Sequence, residues 1–169
     1  IFMLLHDKGA NYGNRIAPYT ADLIPEIETY TRYASRKLSV YKDKENIVLS
    51  DVGYGDPDFF NIFSFELLTG DPGEVLVRHP SVVISESMAN KLFGEEDPVG
   101  KDLTIDGESV IITGIFKDSP YKTHFGAPDF ILNYLSLSKM WSEGPDGELI
   151  TGWSNFGFAM YFLARPGTD

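Results

Sequence analysis

Residues 81–118 constrain the fold more than any other stretch, because they carry an unbroken series of local structure signals. Residues 82–84 are β-branched, which predicts a buried strand, and Ser85 follows as the predicted N-cap of a helix. Apolar residues then recur at helical spacing up to Gly94, where the helix is expected to end. The first half of the stretch therefore predicts a strand that leads directly into a short helix.

The second half of the stretch predicts a β-hairpin. Leu103 and Ile105 alternate with polar residues, and Asp106-Gly107 is a dipeptide that favours a two-residue hairpin turn. The return strand is expected to end at Phe116. Gly114 interrupts this strand, which indicates a β-bulge or a close approach of another part of the backbone.

The rest of the chain predicts short elements typical of an α+β domain. Asp56 is the predicted N-cap of a second helix, with Pro57 at its first position. Strands are expected at residues 1–5, 27–41, 47–52, 130–135 and 159–163. Helices are expected at residues 18–24 and 58–65, a helical turn at 136–141, and loops at 6–16, 67–80 and 119–128.

Several phenylalanines lie in the predicted helix at residues 58–65, among them Phe59, Phe60 and Phe63. Large aromatic side chains belong to the core in most globular domains, and this is the first interpretation. The alternative is that one or two of these rings line a groove for a lipid or a peptide.

Composition and charge exclude several classes of protein. The 169 residues fit one ordinary domain, and a hydrophobic share of 43% argues for a packed core rather than disorder. A net charge of −11 disfavours nucleic acid and anionic lipid as partners. The absence of cysteine excludes disulfides and thiol chemistry, and no apolar run approaches the ~20 residues that span a bilayer.

Residues 94–101 resemble a phosphate-binding loop only superficially. Five residues rather than four separate Gly94 from Gly100, and Asp102 stands where a serine or threonine would bind magnesium. The acidic run at residues 95–97 would also repel a triphosphate. We therefore expect a turn between a helix and a strand here, and no binding or hydrolysis of ATP.

Three other motifs also fall short of a catalytic or metal site. Residues 152–157 approximate a hydrolase nucleophile elbow around Ser154, but with one residue too many. His6, His79 and His124 lack the spacing of zinc ligands. Paired carboxylates at Asp56 with Asp58, or at residues 95–97, suit a cap and a solvated turn better than glycoside hydrolysis. We predict no catalytic residue, metal or cofactor.

Two ordered blocks resemble one known family. The first is Val-Val-Ile-Ser-Glu-Ser-Met-Ala-Asn-Lys-Leu-Phe-Gly, followed by Asp-Pro-Val-Gly-Lys, the hairpin, and Ile-Thr-Gly-Ile-Phe-Lys-Asp. The second, at residues 51–71, precedes it in the chain and contains Gly-Asp-Pro-Asp-Phe-Phe-Asn-Ile-Phe-Ser-Phe-Glu-Leu-Leu-Thr-Gly-Asp. Arg165-Pro166-Gly167 resembles the family's exit from its last strand. Together the two blocks, roughly a third of the chain, are similar to the extracytoplasmic core domain of MacB-like ABC transporter permeases with an FtsX-type membrane domain.

The resemblance implies a fold and a location. It implies one extracytoplasmic core domain over residues 1–169, α+β with mixed sheets and short helices. Two sub-lobes are expected, a βαβ-type lobe from the chain ends (1–53 with 121–169) and an inserted α/β lobe (54–120). The domain would face the periplasm from the inner membrane, with one membrane helix before residue 1 and further helices beyond residue 169.

The resemblance also implies a function without chemistry of its own. Such a domain would pass the motion driven by cytoplasmic ATP hydrolysis to a substrate or partner outside the membrane. Its partners would be a cytoplasmic ATPase subunit, reached through the membrane domain, a second permease copy, and an accessory extracytoplasmic protein or a lipid or peptide substrate. A free-standing secreted hydrolase that uses carboxylates is the alternative.

A contact that opens and closes in each transport cycle should be modest in area, so the isolated domain is expected to be largely monomeric. Ultracentrifugation at micromolar concentration and moderate salt tests this, and a tight apolar dimer would contradict it. The predicted partner-binding residues are Phe59, Phe60, Phe63, Trp141 and Trp153.

Overall fold

The computed structural model describes residues 1–3, 12–13, 15–43, 47–78, 80–118, 126–136 and 156–167. The strands are β1 (Phe2–Met3), β2 (Tyr12–Gly13), β3 (Ile27–Tyr41), β4 (Ile47–Gly55), β5 (Leu67–Thr69), β6 (Ser81–Ser85), β7 (Asp102–Ile105), β8 (Glu108–Phe116), β9 (Phe130–Asn133) and β10 (Phe156–Ala164). The helices are α1 (Ile16–Leu23), α2 (Phe59–Ile62) and α3 (Glu86–Phe93).

The described strands form one sheet with mixed pairing, and six of them close into a ring. In the ring, β3 pairs with β4, β4 with β9, β9 with β6, β6 with β8, β8 with β7, and β7 with β3 again. The β4–β9 and β6–β8 pairs are parallel and the others antiparallel. Beyond the ring, β10 continues the sheet from β3, and β1 and β2 pair with β10. The predicted α+β class with mixed strand pairing is confirmed.

One core fills the ring. It contains alternate residues of the ring strands, such as Val82 and Ile84 of β6, and side chains of α3 such as Met88 and Leu92. Side chains of the intervening positions, such as Val83, point to a second core on the opposite face, where α2 packs. This division follows from the two-residue period of a strand, which sends successive side chains to opposite faces.

The central stretch folds as its sequence predicts. The Ser85 hydroxyl accepts a hydrogen bond from the backbone N–H of Met88 at 3.3 Å, which confirms the N-cap of α3. The hairpin closes with Ile105 opposite Glu108. Asp106 and Gly107 have φ values of 51° and 85°, which a type I′ turn requires of both central residues.

Both features that the sequence predicts at Gly114, a β-bulge and a close approach of another part of the backbone, are present in the structure. The pairing of β6 with β8 shifts register between Val82 and Val83. A Cβ atom at Gly114 would lie 2.8 Å from the carbonyl oxygen of Thr69 and 2.9 Å from Cγ1 of Val75. Only a residue without a side chain lets β5 approach this closely.

Several predicted boundaries are wrong. The second helix covers only Phe59–Ile62, and its N-cap is Asp58 rather than Asp56. The predicted loop at residues 67–80 contains the short strand β5, which pairs with β8. The first helix begins at Ile16, before Pro18, because proline is tolerated in a first turn where N–H groups lack helical partners. The predicted helical turn at 136–141 lies outside the described residues except for Ser136.

Candidate functional site

The three phenylalanines predicted to bind a partner are buried in the second core. Phe59 lies between Phe60 and Phe63, with ring centroids 5.3 and 5.0 Å away, and Phe63 meets Tyr161 at 4.9 Å. The segment therefore does not present these rings at the surface, as a partner contact would require, and their burial favours the core interpretation. A partner-binding role for them stays a prediction, and Trp141 and Trp153 lie outside the described residues.

Asp56 is part of a buried ion pair rather than a helix cap. Its Oδ1 accepts a hydrogen bond from Nη2 of Arg32 at 2.6 Å, and its Oδ2 accepts from Nε and from the backbone N–H of Arg32 at 2.9 and 2.7 Å. Each residue is only 6% exposed. Since both carboxylate oxygens are occupied and shielded from solvent, Asp56 is poorly placed to act on a substrate.

The ion pair lies against an aromatic ring. The guanidinium carbon of Arg32 lies 3.7 Å from the ring centroid of Tyr134, which follows β9. Burial disfavours the charged guanidinium, but the hydrogen bonds and charge of Asp56 outweigh it and raise the pKa of Arg32. Burial also raises the pKa of Tyr134. Arg32, Asp56 and Tyr134 thus connect β3, the end of β4 and the segment after β9, and this connection gives the cluster a structural role.

Asp58 connects α2 to β3. Its carboxylate accepts a hydrogen bond from the hydroxyl of Thr29 at 2.6 Å and another from the side-chain amide of Asn61 at 2.9 Å. Asp56 and Asp58 thus bind different partners in neighbouring elements. Both oxygens of each carboxylate accept hydrogen bonds within the chain, which disfavours the role that the hydrolase alternative gives them.

The acidic turn after α3 forms surface contacts. Nζ of Lys101 binds Glu96 at 2.6 Å, and the carboxylate of Asp97 accepts a hydrogen bond from the backbone N–H of Val99 at 3.0 Å. The Lys101 hydrogen bond lowers the pKa of Glu96. Lys101 therefore binds a carboxylate of the same turn, which agrees with the expected turn between a helix and a strand rather than a phosphate-binding loop.

The described residues present no cluster of three or more His, Cys, Asp or Glu side chains that could hold a metal. His6, His79, His124 and Ser154, which the sequence motifs brought forward, lie outside the described part of the chain.

Exposed apolar side chains gather at one end of β3, here called the proximal end. In the pairing of β1 with β10, Phe2 lies opposite Phe162, and in the pairing of β3 with β10, Ile27 lies opposite Ala164. The start of the chain, the end of β10 and the turn between α1 and β3 therefore meet at the same edge. Among the described residues of the proximal end, the exposed aliphatic and aromatic side chains include Ile1, Phe2, Met3, Leu23 and Ile24.

A second exposed apolar surface lies at the other end of β3, here called the distal arm and formed by residues 37–41 of β3 with 47–51 of β4. Leu49 is 69% exposed and Ile47 is also exposed, while Val48 between them packs against the ring core. A half-buried strand normally carries polar residues on its outer face. Two aliphatic side chains on the outer face thus make the distal arm a candidate contact surface.

Sequence reasoning missed both apolar surfaces, although each left a signal. The run Ile47-Val48-Leu49 is apolar at successive positions and does not alternate, so both faces of the strand carry apolar side chains, and only the structure shows that one of these faces is exposed. Leu23-Ile24-Pro25 places two aliphatic residues where the helix ends. The prediction instead favoured aromatic residues, which the fold buries in the case of Phe59, Phe60 and Phe63.

None of the described helices is long and apolar enough to cross a membrane. Residues 6–169 match the model of a protein family described as the MacB-like periplasmic core domain. Among curated proteins, none matches this chain.

Three solved structures share the fold. A domain of a candidate permease protein from Porphyromonas gingivalis is 25% identical with a TM-score of 0.76, covering 95% of this chain and 71% of that one. The periplasmic region of MacB from Actinobacillus actinomycetemcomitans is 15% identical with a TM-score of 0.70, covering 94% and 68%. The extracellular domain of the noncanonical ABC-type transporter YknZ from Gram-positive bacteria is 14% identical with a TM-score of 0.64, covering 98% and 82%.

The family match spans nearly the whole chain and includes both blocks on which the sequence resemblance depends. The second and third structures, at lower identity, agree in fold alone. The chain therefore belongs to the family of MacB-like periplasmic core domains.

Proposed function

We propose that this chain couples cytoplasmic ATP hydrolysis to the movement or binding of a substrate or partner outside the inner membrane, as the extracytoplasmic domain of an ABC transporter permease subunit. The family match over residues 6–169 is the observation that carries the proposal. The domain itself contributes packing and contact surfaces rather than bond chemistry. Its partners are a cytoplasmic ATPase subunit, reached through the membrane domain, and a second permease copy.

The pairing of the first described strand with the last one supports this proposal. The antiparallel pairing of β1 with β10 places Phe2 opposite Phe162, so the start of β1 and the end of β10 lie at the same end of the sheet. Under the proposal, the rest of the permease connects to the domain at this end.

The strand β3 offers a mechanical route from the membrane to a partner. It is continuous over 15 residues, so it spans about 50 Å from the proximal end to the distal arm. Near the proximal end it pairs with β10, and farther along it belongs to the closed ring. A tilt of the proximal end would therefore move the distal arm as part of one packed body, since close-packed interiors transmit strain.

The distal arm is the surface that we assign to a partner outside the membrane. Leu49 and Ile47 supply apolar area. At the border of the distal arm, Lys37 adds charge and lies opposite Asp51 in the pairing of β3 with β4. A small apolar centre with a polar rim fits an interface that forms and separates repeatedly. An accessory extracytoplasmic protein or the second permease copy would suit it, as would a peptide substrate.

Cysteine labelling in cells tests the proposed function. The chain has no cysteine, so Leu49→Cys in an otherwise cysteine-free full-length protein gives a single labelling site. We expect a membrane-impermeant maleimide to label it once the outer membrane is permeabilised and the inner membrane is intact. Val52→Cys, at a fully buried position of the same strand, is the matched control and should stay unlabelled until the protein is denatured.

A second readout addresses the coupling to ATP. The labelling rate of Leu49→Cys should change when the partner ATPase is inactivated, because the distal arm is then held in one state of the cycle. Labelling only after the inner membrane is broken would overturn the extracytoplasmic location. A rate that is the same with and without ATPase activity would overturn the coupling.

A further inference from the structure

One side of the distal arm lies outside both cores. Alternate residues of β3 and β4 point away from the ring core here, while Leu38 and Val48 between them pack against it. Directly opposed residues of paired strands share a face. The register places three such pairs side by side, which are Tyr41 with Ile47, Ser39 with Leu49, and Lys37 with Asp51. None of these six side chains is buried, and together they form the surface that we call the outer face.

The outer face is electrically balanced on a strongly acidic chain. The whole chain has a net charge of −11, whereas the outer face carries one lysine and one aspartate, Lys37 and Asp51. The two lie opposite each other, yet neither forms an ion pair with another residue in the part of the chain that the structure describes. Both side chains are exposed, so both charges are available to a partner.

We propose that two copies of this chain meet at the outer face, with β3 of each copy lying over β4 of the other. The contact presupposes the proposed function, and it names the partner of the distal arm. Two molecules that each carry a charge of −11 repel, so they should meet where their local charges cancel. A basic partner would instead gain more at an acidic surface such as the exposed turn at residues 95–97.

The outer face is complementary to itself. A two-fold axis that runs between β3 and β4, parallel to the strands, places Lys37 of one copy over Asp51 of the other. The same axis places Leu49 over Ser39 and Ile47 over Tyr41. Each copy thus gives and receives the same contacts, which are two pairs of opposite charge at one end and apolar carbon along the rest.

The contact is small enough to open and close. Each strand contributes residues over about 17 Å, and two neighbouring strands are about 10 Å wide, so each copy covers roughly 170 Å² of flat surface. Stable interfaces bury about 800 Å² on each partner. The outer face alone would therefore leave the isolated domain largely monomeric, and two copies would meet only when the rest of the permease keeps them close together.

Cross-linking between two differently tagged copies tests the contact in the full-length protein. One copy carries Ser39→Cys and the other Leu49→Cys, in an otherwise cysteine-free background. We expect a short bismaleimide to join them in membranes into a product that carries both tags. Val48→Cys in place of Leu49→Cys is the matched control and should give little product, because Val48 packs against the ring core.

Reciprocal charge reversal distinguishes a second copy from any other occupant. With Lys37→Asp in both copies, both charge pairs of the contact become repulsive, so the cross-linked product should fall by about fivefold or more. Asp51→Lys in both copies should have the same effect. With Lys37→Asp in one copy and Asp51→Lys in the other, both pairs have opposite charges again, and the product should return to near the parent level. Circular dichroism checks that each exposed substitution leaves the fold intact.

The outcomes separate this contact from the proposed function. A product that does not respond to the charges, or does not return in the mixed pair, would overturn the two-fold contact. Absence of product, with Leu49→Cys still labelled from outside the inner membrane, would also overturn it and would leave an accessory protein or a peptide as the partner. That result leaves the proposed function standing, whereas labelling only after the inner membrane is broken would remove the extracytoplasmic location itself.

Discussion

Replacing Asp56 by alanine should cost more stability than any surface change, because it leaves a buried guanidinium without its carboxylate. The change removes three hydrogen bonds of 2.6, 2.7 and 2.9 Å from Arg32, which is only 6% exposed. Breaking a buried ion pair in this way typically costs about 3–5 kcal/mol. The contact of the Arg32 guanidinium with the Tyr134 ring is present in the parent as well, so it does not offset this loss.

Urea denaturation measures the effect. Domains of this kind are stabilised by about 5–15 kcal/mol, so the loss is a large share of the total. With a denaturant slope of roughly 2 kcal/mol per molar urea, the midpoint of the Asp56→Ala variant should fall by about 1.5–2.5 M. The slope itself should stay the same if the native state keeps its compactness.

Two controls make this prediction specific. Glu96→Ala breaks the exposed pair with Lys101, whose side chains are 66% and 40% exposed, and should leave the midpoint unchanged. Arg32→Met combined with Asp56→Leu removes both charges and should recover most of the loss, because apolar pairs often replace buried ion pairs without penalty. If Asp56→Ala shifts the midpoint no more than Glu96→Ala, the argument from burial fails.

Three further predictions concern other parts of the fold. Ser85→Ala removes the N-cap of α3 and should cost about 1 kcal/mol in urea denaturation. Ser81→Ala should cost nothing, because the buried Ser81 hydroxyl has no hydrogen-bond partner among the described residues, and equal losses for the two variants would contradict this. Gly114→Ala should cost about 1–3 kcal/mol because its Cβ would overlap the Thr69 carbonyl, and a thermal midpoint like that of the parent would refute the close contact. Burial raises the pKa of the Tyr33 phenol to about 12 in the folded state, whereas it is about 10 in the unfolded chain. The stabilisation that depends on the neutral phenol should therefore be complete below pH ~10 and be lost as the pH rises towards 12. The phenolate absorbance of Tyr33 should therefore appear at a higher pH than that of an exposed tyrosine. Over the same pH range, a Tyr33→Phe variant should lose less stability than the parent protein.

The elements that the sequence predicted correctly depend on contacts within a few residues. The Ser85 cap involves a donor three residues away, and the Asp106-Gly107 turn needs only that both residues tolerate positive φ. The strand at residues 27–41 was also predicted with its observed bounds. Signals of this range are present in the sequence because the structure they specify is local.

The failure at Asp56 shows where local signals stop being sufficient. Aspartate before proline is a good cap signal, yet this carboxylate binds Arg32, which lies 24 residues earlier in the chain. The ion pair forms because β3 and β4 are adjacent, with Tyr33 opposite Gly55. The helix then begins only at Phe59, and the predicted partner residues Phe59, Phe60 and Phe63 turn into the core. No pattern within residues 56–65 could have revealed a competing cation on another strand.

The bulge at Gly114 connects a local signal to the global architecture. Ile112 and Phe116 are four residues apart, so in a regular strand they would point to the same face. In this fold Ile112 lies in the ring core and Phe116 in the second core, because the extra residue reverses the alternation. The glycine itself was recognisable in the sequence, but its consequence was not, since only the pairing of β8 with β6 and β5 determines what each face meets. One residue without a side chain thus allows a single strand to supply both cores, which joins the ring to the aromatic cluster around α2.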